Sequence, residues 1–457
     1  MQPRAVKTAE DVRRILRERK LTHVKVGVHD SDGILRGKYL HVEKFQGALE
    51  KGLGFCDVVL GWDANDQLYD NTTYTGWHTA YPDAPVRVIL DSCREIPTEP
   101  GNLFFLCEFA DKAEAVCPRG TLRRVLKRAE KMGFKVQCGF EYEFFVFEET
   151  PHSVREKGYK NLKPISPGFF GYSVLRNSVY AEWYRDLLDL CEKMDCGIEG
   201  LHTETGAGAL EAALRVSAGV ESADRAALFK TFTKVLAERR GWMASFMAKW
   251  SKDWPGAGGH IHMSLWRGTK GTKSAFFDPK SAFGMSETMR SFVAGQQLLM
   301  PEFLAMVAPT VNSYRRLIPG YWAPTVATWG VENRTTALRV IPGSEKSTRV
   351  EYRVAAADAN PYLALAAAVA SGLWGIENKL KLGEPVKGNA YAKQHADRLQ
   401  LPRTLMEAAE RLKQSKAAKE LFGKPFVDHY AATREWEERE FRKHVSDWEL
   451  ERYFEII

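Results

Sequence analysis

The spacing of apolar positions changes character near residue 115. Before it the apolar runs are short and alternate. Val24 to Asp30 (VKVGVHD) and Ile34 to Leu40 (ILRGKYL) read as two strands joined through Ser31-Asp32-Gly33, a turn that favours a hairpin. FCDVVLGW (Phe55 to Trp62), VRVILDS (Val86 to Ser92) and NLFFLCEF (Asn102 to Phe109) read as further strands. Helices are predicted only at Ala9 to Arg19 and Val42 to Lys51, and Asp66 to Pro85, rich in Tyr, Thr, Asp and Pro, reads as a loop. Beyond residue 115, strands alternate with long helices. One starts near Pro118 and Thr121 and stops at Gly133. Others are predicted over Ser178 to Met194, Ala223 to Met247 and Pro361 to Leu382, the last opened by Asn360 as cap and Pro361 at the first helical position. The tail from Pro402 to Ile457 reads as charged and helical. The pattern predicts an α+β chain: a small domain over residues 1–113, then a larger one over 114–457.

Four strand-like segments of the larger domain carry polar groups on one face and apolar groups on the other. In FKVQCGFEYEFFVF, Glu141 and Glu143 share a face opposite Val136, Cys138, Phe140, Tyr142 and Phe144. Two like charges on an otherwise apolar strand repel unless a cation lies between them. A hard divalent ion, Mg²⁺ or Mn²⁺, is the natural neutraliser; exposed glutamates paired with lysines are the plainer reading. HTETGAGALEAAL supplies Glu204 and Glu211, with a Gly206-Ala207-Gly208 turn between them that can fold both carboxylates toward one point. In PGAGGHIHMSLW, His260, His262 and Ser264 share a face. In RVEYRV, Arg349, Glu351 and Arg353 face away from Val350, Tyr352 and Val354. Arg315, Arg316, Arg334, Arg339 and Lys346 precede that last segment. Guanidinium forks grip carboxylate or phosphate oxygens in pairs. Several carboxylates, few soft ligands and many arginines together read as a two- or three-magnesium phosphoryl-transfer site.

Composition narrows the class. A chain of 457 residues calls for two or three domains, and 44% hydrophobic with 27% charged residues suits a globular protein. No apolar run is long enough for a membrane helix, and the start, MQPRAVKTAEDVRRILRERK, lacks an apolar signal core, so a cytoplasmic protein without membrane contact is expected. The seven cysteines (Cys56, Cys93, Cys107, Cys117, Cys138, Cys191 and Cys196) are scattered and lack a CxxC pair, which argues against a disulfide scaffold or a zinc ribbon. A net charge of +7 permits anionic substrates and, with no basic block interleaved with aromatics, does not point to nucleic acid. The Gly-rich loop fits neither a P-loop nor a dinucleotide fingerprint.

The motifs GFEYEFF, the Glu204/Glu211 pair, GAGGHIHMSLW, NSYRRLIPG, NRTTALR and RVEYRVAAADANPYLALAA stand in the order found in the glutamine synthetase family, which the chain resembles from about residue 20 to its end. ATWGxxNRT, VEYRVAAADANPY and the ending VSDWELERYFEII resemble its γ-glutamylpolyamine and γ-glutamylalkylamide synthetase branch. The resemblance implies a β-grasp-like N-terminal domain and a catalytic domain with a curved antiparallel sheet and helices. It implies homo-oligomers of two stacked hexameric rings, with active sites at subunit boundaries. It also implies ATP-dependent phosphorylation of the γ-carboxylate of L-glutamate, followed by attack of an amine. By motif, one metal falls to Glu143, Glu204 and Glu211, and another to Glu141, His260 and Glu351. Gly256, Arg316 and Arg353 would meet glutamate. His262, Ser264, Arg334, Lys346 and Arg349 would meet ATP, and Arg339 the transferred phosphoryl group.

Three departures matter. The family's GYEAP, whose glutamate serves ammonium, is GYWAP here, so Trp322 takes its place. An indole removes a charge and adds an apolar wall, which favours a small organic amine. Pro255 stands where the family has an asparagine that touches glutamate. The base has three candidates: Asp57 and Asp63 of FCDVVLGWD, or a carboxylate at Glu211. Ligation of glutamate to an organic amine is the expectation; a glutamine synthetase using ammonium, or a non-catalytic relative, are the alternatives.

Overall fold

The computed structural model describes residues 1–268 and 271–457. Among these, two sheets have separate apolar cores. The N-terminal sheet contains β1 (His23–His29), β2 (Leu35–His41), β3 (Leu53–Cys56), β4 (Asp83–Val88), β5 (Arg94–Glu95) and β6 (Leu103–Phe109). Its order is β2-β1-β6-β4-β3, with β5 beside β6 and β1 parallel to β6. Val24, Val26 and Val28 of β1 are buried with Phe45 and Phe105, the alternation that the sequence shows. The predicted hairpin is present. Its turn is set by Asp30, whose Oδ1 accepts from the amides of Asp32 (3.0 Å) and Ile34 (2.8 Å), and by Gly33 at φ 81°.

The second, larger sheet contains β7 (Phe134–Phe147), β8 (Ile198–Thr203), β9 (Ala209–Leu214), β10 (Ser217–Ala218), β11 (Met243–Ser245), β12 (Gly259–Arg267), β13 (Lys273–Ser274), β14 (Trp329–Val331), β15 (Leu338–Ile341) and β16 (Arg349–Tyr352). The main order is β14-β15-β16-β12-β7-β9-β8. All its neighbours run antiparallel except β14 and β15. One face is apolar: Phe140, Tyr142 and Phe144 of β7, Ile261, Met263 and Leu265 of β12, and Val350 and Tyr352 of β16 are all buried. Against this core pack helices over Pro118–Lys131, Val220–Arg239, Glu287–Phe303 and Pro361–Glu377. Removing one such aromatic ring costs about 3–5 kcal/mol, so the apolar face fixes where the polar face points.

Four predicted elements are corrected. The strand predicted over Phe55 to Trp62 stops at Cys56, and Asp57–Leu60 forms a 3-10 turn. The chain turns there because Asp57 is buried and its carboxylate accepts the Thr75 hydroxyl at 2.7 Å. The helix predicted from Ala223 to Met247 ends at Arg239: Gly241 takes φ 72°, and Met243–Ser245 then joins β7 as a strand. The helix predicted from Ser178 is two, Val174–Val179 and Ala181–Lys193, broken at Tyr180. The helix from Pro361 ends at Glu377, five residues short. No helix among the described residues is long and apolar enough to cross a membrane.

The hairpin turn docks at the start of the helix over Pro361–Glu377. Asn360 Nδ2 donates to the carbonyls of Asp30 (3.1 Å) and Ser31 (3.2 Å), while its Oδ1 caps the Pro361 helix through the Tyr362 amide. Arg434 donates to Asp32 at 2.7 Å.

Candidate active site

Strand register assembles the site. Across adjacent strands, Arg339 sits opposite Glu351, Glu351 opposite His262, His260 opposite Glu141, and Glu143 opposite Glu211. His202 sits opposite Glu211. The Gly206-Ala207-Gly208 turn folds back as its sequence suggests: the Glu204 amide donates to the Ala209 carbonyl at 2.9 Å. Gly208 has φ 70°, and a Cβ there would lie 2.5 Å from the Val146 carbonyl, so only glycine fits.

Two acidic clusters result. In the first, one ligating atom each from Glu141, His260 and Glu351 lie within 4.8 Å of one another. His260 Nδ1 is 3.8 Å from Glu141 and 3.6 Å from Glu351, and His262 Nε2 is 3.1 Å from Glu141. Glu351 is 1% exposed. It is ion-paired to Arg353, and Arg339 Nη1 donates to its other oxygen at 3.1 Å. Burial alone would raise Glu351, but Arg353, His260 and His262 outweigh it and hold it at about 2. Burial is likewise overcome at Glu141, where the neighbouring imidazoles of His260 and His262 hold the carboxyl far below its usual range.

In the second cluster His202, Glu204 and Glu211 come within the same 4.8 Å. Glu143 is the register partner of Glu211, and its Oε2 accepts from the Gly258 amide at 2.8 Å. Among the described residues no arginine hydrogen-bonds these carboxylates, although Arg316 lies near Glu143. Burial first, then the charges of Glu143, Glu141, Glu204 and Glu351, push Glu211 up to about 9. Carboxylates that crowd until one holds its proton at neutral pH are carboxylates lacking a cation. In the first cluster, His260 Nε2 and Arg353 Nε are buried without a hydrogen-bond partner. The crowded carboxylates and the free imidazole nitrogen fit hard divalent ions, whereas the Arg353 Nε–H is a donor left for an anion.

Two recesses flank the clusters. A cleft of about 460 Å³ is lined by Glu141, His262, Ser264, Trp266, Lys346 and Arg349, among others. Arg349 Nε is 3.1 Å from His262 Nδ1, and the Trp266 indole donates to Ser264 Oγ at 2.9 Å. The second recess, about 30 Å³, is lined by Glu143, Glu204, Pro255, Gly256, Arg316 and Trp322, with Phe144, Phe145, Thr205, Ala209 and Tyr321. Arg316 is buried and donates to the carbonyls of Val354 (2.9 Å) and Arg353 (3.2 Å). A Cβ on Gly258 would meet His260 Nε2 at 2.6 Å and Arg316 Nη2 at 2.9 Å, so this glycine is what lets the clusters approach. Trp322 is 55% exposed at the edge of the recess, on backbone with φ 60°.

The sequence-predicted site residues therefore converge with three exceptions. Arg334 borders a separate recess with Glu332, Asn333 and Val386. Asp57 and Asp63 belong to the N-terminal domain and line neither flanking recess: Asp57 is bound to Thr75, and Asp63 accepts from the amides of Asn65 and Gln67, both at 2.8 Å. Three residues escaped the sequence reading. His202 is two residues from Glu204, a spacing that its strand could have revealed. Tyr172 stacks on His202 at 4.3 Å between ring centroids, and nothing in GFFGYSV signals it. Glu332 holds Arg339, with Nε to Oε2 at 2.9 Å.

Residues 115–453 match the glutamine synthetase catalytic domain. The chain belongs to the glutamine synthetase family. Relatives span it nearly end to end. A type-1 glutamine synthetase 2 of Dictyostelium discoideum is 48% identical over 98% of this chain and 87% of its own length. A glutamate–isopropylamine ligase of a Pseudomonas species is 33% identical over 98% of both. A γ-glutamylethanolamide synthetase of Streptomyces coelicolor is 36% identical over 93% of this chain and 91% of its own. The solved structure of a GmaS–ADP complex superposes with a TM-score of 0.84 at 25% identity, covering 98% of this chain and 99% of that one. The chain is accordingly an ATP-dependent glutamate–amine ligase of this family, with the mixed α/β fold expected of it.

Proposed function

We propose that the chain joins the γ-carboxylate of L-glutamate to a small organic primary amine. The observation that carries this reading is Trp322 at the edge of the recess formed by Glu143, Glu204, Gly256 and Arg316. An indole there offers apolar contact to a substituent on nitrogen and no charge to ammonium. The activities for which the Pseudomonas and Streptomyces relatives are named are of this kind.

In this reading ATP occupies the larger cleft. His262, Ser264, Lys346 and Arg349 line it, while Arg334, assigned to ATP by resemblance, borders a separate recess. Arg316, Arg353 and the Gly256 backbone hold glutamate. Mg²⁺ or Mn²⁺, two or three per chain, would be held by Glu141, His260 and Glu351 and by Glu143, Glu204 and Glu211, with His202 beside the latter. When bound, these ions neutralise phosphate oxygens. A γ-carboxylate oxygen attacks the γ-phosphorus of ATP, and ADP leaves. Arg339 neutralises the phosphoryl group in transfer. The amine nitrogen then attacks the carbonyl carbon of γ-glutamyl phosphate, phosphate leaves with the C–O bonding pair, and the nitrogen gives its proton to a base. Glu211 is the candidate within the chain. Asp57 or Asp63 would serve only from a second copy, as in paired hexameric rings with sites at subunit boundaries.

A glutamine synthetase reaction with ammonium is the second reading, favoured by the 48% identical Dictyostelium relative. Phosphate release with ATP, Mg²⁺ and glutamate separates the two when ammonium, methylamine, isopropylamine, ethanolamine, putrescine and aniline are supplied one at a time. The proposal expects one organic amine to exceed ammonium in kcat/KM, with its γ-glutamylamide found by mass. Ammonium as the best substrate would overturn it.

A further inference from the structure

Trp322 sits on a short surface segment, and the structure contains a device that holds that segment against the Gly-rich loop. The device is Lys249, which is 8% exposed and lies outside both recesses. Its main chain is clamped at both polar atoms. The Lys249 amide donates to Asn312 Oδ1, and Asn312 Nδ2 donates back to the Lys249 carbonyl, each at 2.8 Å. Asn312 opens the turn that ends in Arg316. The Lys249 ammonium then spans two more elements. It donates to the carbonyl of Trp254, directly before Pro255 and Gly256, and lies 4.5 Å from the centroid of the Tyr321 ring. Tyr321 is the residue before Trp322 and shares its recess.

A buried ammonium with a single carbonyl partner and an aromatic face beneath it is well placed for a cation–π contact. The segment it touches has little else to hold it. Tyr321 and Trp322 are 41% and 55% exposed, and Gly320 and Trp322 both have positive φ, 84° and 60°. Among the described residues, the backbone bond tying Tyr321 is its amide to the Ile318 carbonyl, at 3.3 Å and within the same segment. Lys249 thus ties Tyr321 to the loop beneath, beside the Arg316 side chain that packs on Gly256.

We propose that Lys249 is a positioning residue: through Tyr321 it fixes Trp322 over the amine recess and so sets selectivity for a substituted amine. The inference rests on Trp322 as the wall of that recess. It adds that the wall stands only while the ammonium bridges Trp254 and Tyr321. Lys249 itself touches no reacting atom.

The experiment uses the full chain and the variants Lys249→Met, Lys249→Arg, Tyr321→Leu, Tyr321→Phe and the double Lys249→Met/Tyr321→Leu. Two quantities are read: hydrogen exchange, by mass spectrometry, in peptides spanning residues 311–328, and the ratio of kcat/KM for the best organic amine to that for ammonium. Lys249→Met and Tyr321→Leu should each speed exchange in the segment and lower the ratio about three- to thirtyfold, the range of one such contact. The loss should lie mainly in KM for the amine, with kcat little moved. Lys249→Arg and Tyr321→Phe, which keep a cation and a ring, should restore both readouts. The double variant should be no worse than either single variant. Additive effects, unchanged exchange in Lys249→Met, or failure of Lys249→Arg to rescue would overturn the latch. Faster, non-additive exchange with an unmoved ratio would refute the proposal as stated, and would locate the fault in the Trp322 pocket rather than in the contact.

Discussion

The two acidic clusters are built from the same residue types on the same sheet face, yet their charges are treated in opposite ways. Around Glu351 the carboxylates are matched by Arg339, Arg353 and His260, and Glu351 is held at about 2. Around Glu211 there are Glu143, Glu204 and His202; Arg316 stands near Glu143, but among the described residues no arginine hydrogen-bonds these carboxylates, and Glu211 is driven up to about 9. The first cluster is organised before any ligand arrives. The second is a set of anions that only an incoming cation can bring into one charge state. Register makes the difference: β15 and β16 bring arginines to the first, whereas β7, β8 and β9 bring only acids and a histidine to the second. A site that must both grip a polyphosphate and receive an amine has use for one finished half and one unfinished half.

Removing Glu351 should have the largest effect. Glu351→Ala leaves Arg353 buried without its carboxylate, and breaking such a pair costs about 3–5 kcal/mol. Urea unfolding should report a loss of that size, and phosphate release should fall at least about a hundredfold, as for disrupted ligand shells. A variant of full activity would mean that the first cluster is only a surface of the fold.

Glu211→Gln should act in the opposite direction on stability. In metal-free protein the folded state keeps the Glu211 proton up to about pH 9, while the unfolded chain releases it near pH 4.5. Between those values the folded state binds more protons, so stability falls as pH rises. Melting in EDTA should show this decline for the parent chain, and the decline should shrink in Glu211→Gln. Mg²⁺ should restore the parent at high pH and do less for the variant. Equal slopes for both proteins would show that the crowding around Glu211 is relieved some other way.

The part of this contrast that the sequence displays is the alternation. Glu141/Glu143, His260/His262 and Arg349/Glu351/Arg353 each stand two apart on strands whose other face is apolar, so their sidedness is legible without coordinates. Register is not legible, because it depends on pairings across more than a hundred residues, such as His260 with Glu141. His202 is not such a case: it lies two residues from Glu204 and pairs with Glu211 across a short hairpin, so the alternation around the Gly206-Ala207-Gly208 turn was enough to place it. The helix predicted to run through Met247 failed for a local reason. Apolar residues resume after Gly241 as Trp242, Met243 and Ala244, so the pattern reads on, and the glycine's positive φ decides the break. The N-terminal hairpin, with Asp30, Asp32 and Gly33 in its turn, is the opposite case, in which turn chemistry alone sufficed. Asp57 and Asp63 were assigned by resemblance to a base that this chain does not bring to its own site.

Trp322→Glu sharpens the contrast from the unfinished side. It adds a carboxylate to a recess that already holds Glu143 and Glu204. One more anion attracts small cations and removes the apolar wall together. The ratio of kcat/KM for organic amine to that for ammonium should fall about tenfold or more. An unmoved ratio would remove Trp322 from the amine site.

The smallest effect is expected at the outer end of the finished cluster. Glu332 lies at φ 49°, where a glutamate is strained, and its backbone is held there by its neighbours: Asn333 Nδ2 donates to the carbonyls of Val386 (3.1 Å) and Gly388 (2.8 Å). Its carboxylate accepts from Arg339, whose far edge rests on Glu351. Glu332→Gln keeps the turn and one acceptor oxygen but removes the charge. Arg339 then still has Glu351 to aim it, so the guanidinium should remain in the site with more freedom. Glu332 is half exposed, and solvent screening limits what its charge contributes. The loss should be about three- to tenfold in kcat, within the range of one weakened charged hydrogen bond, with KM for glutamate unchanged. If KM for ATP moves and kcat does not, Arg339 binds nucleotide in the ground state, and the two arginines on Glu351 divide their work differently from the assignment made here.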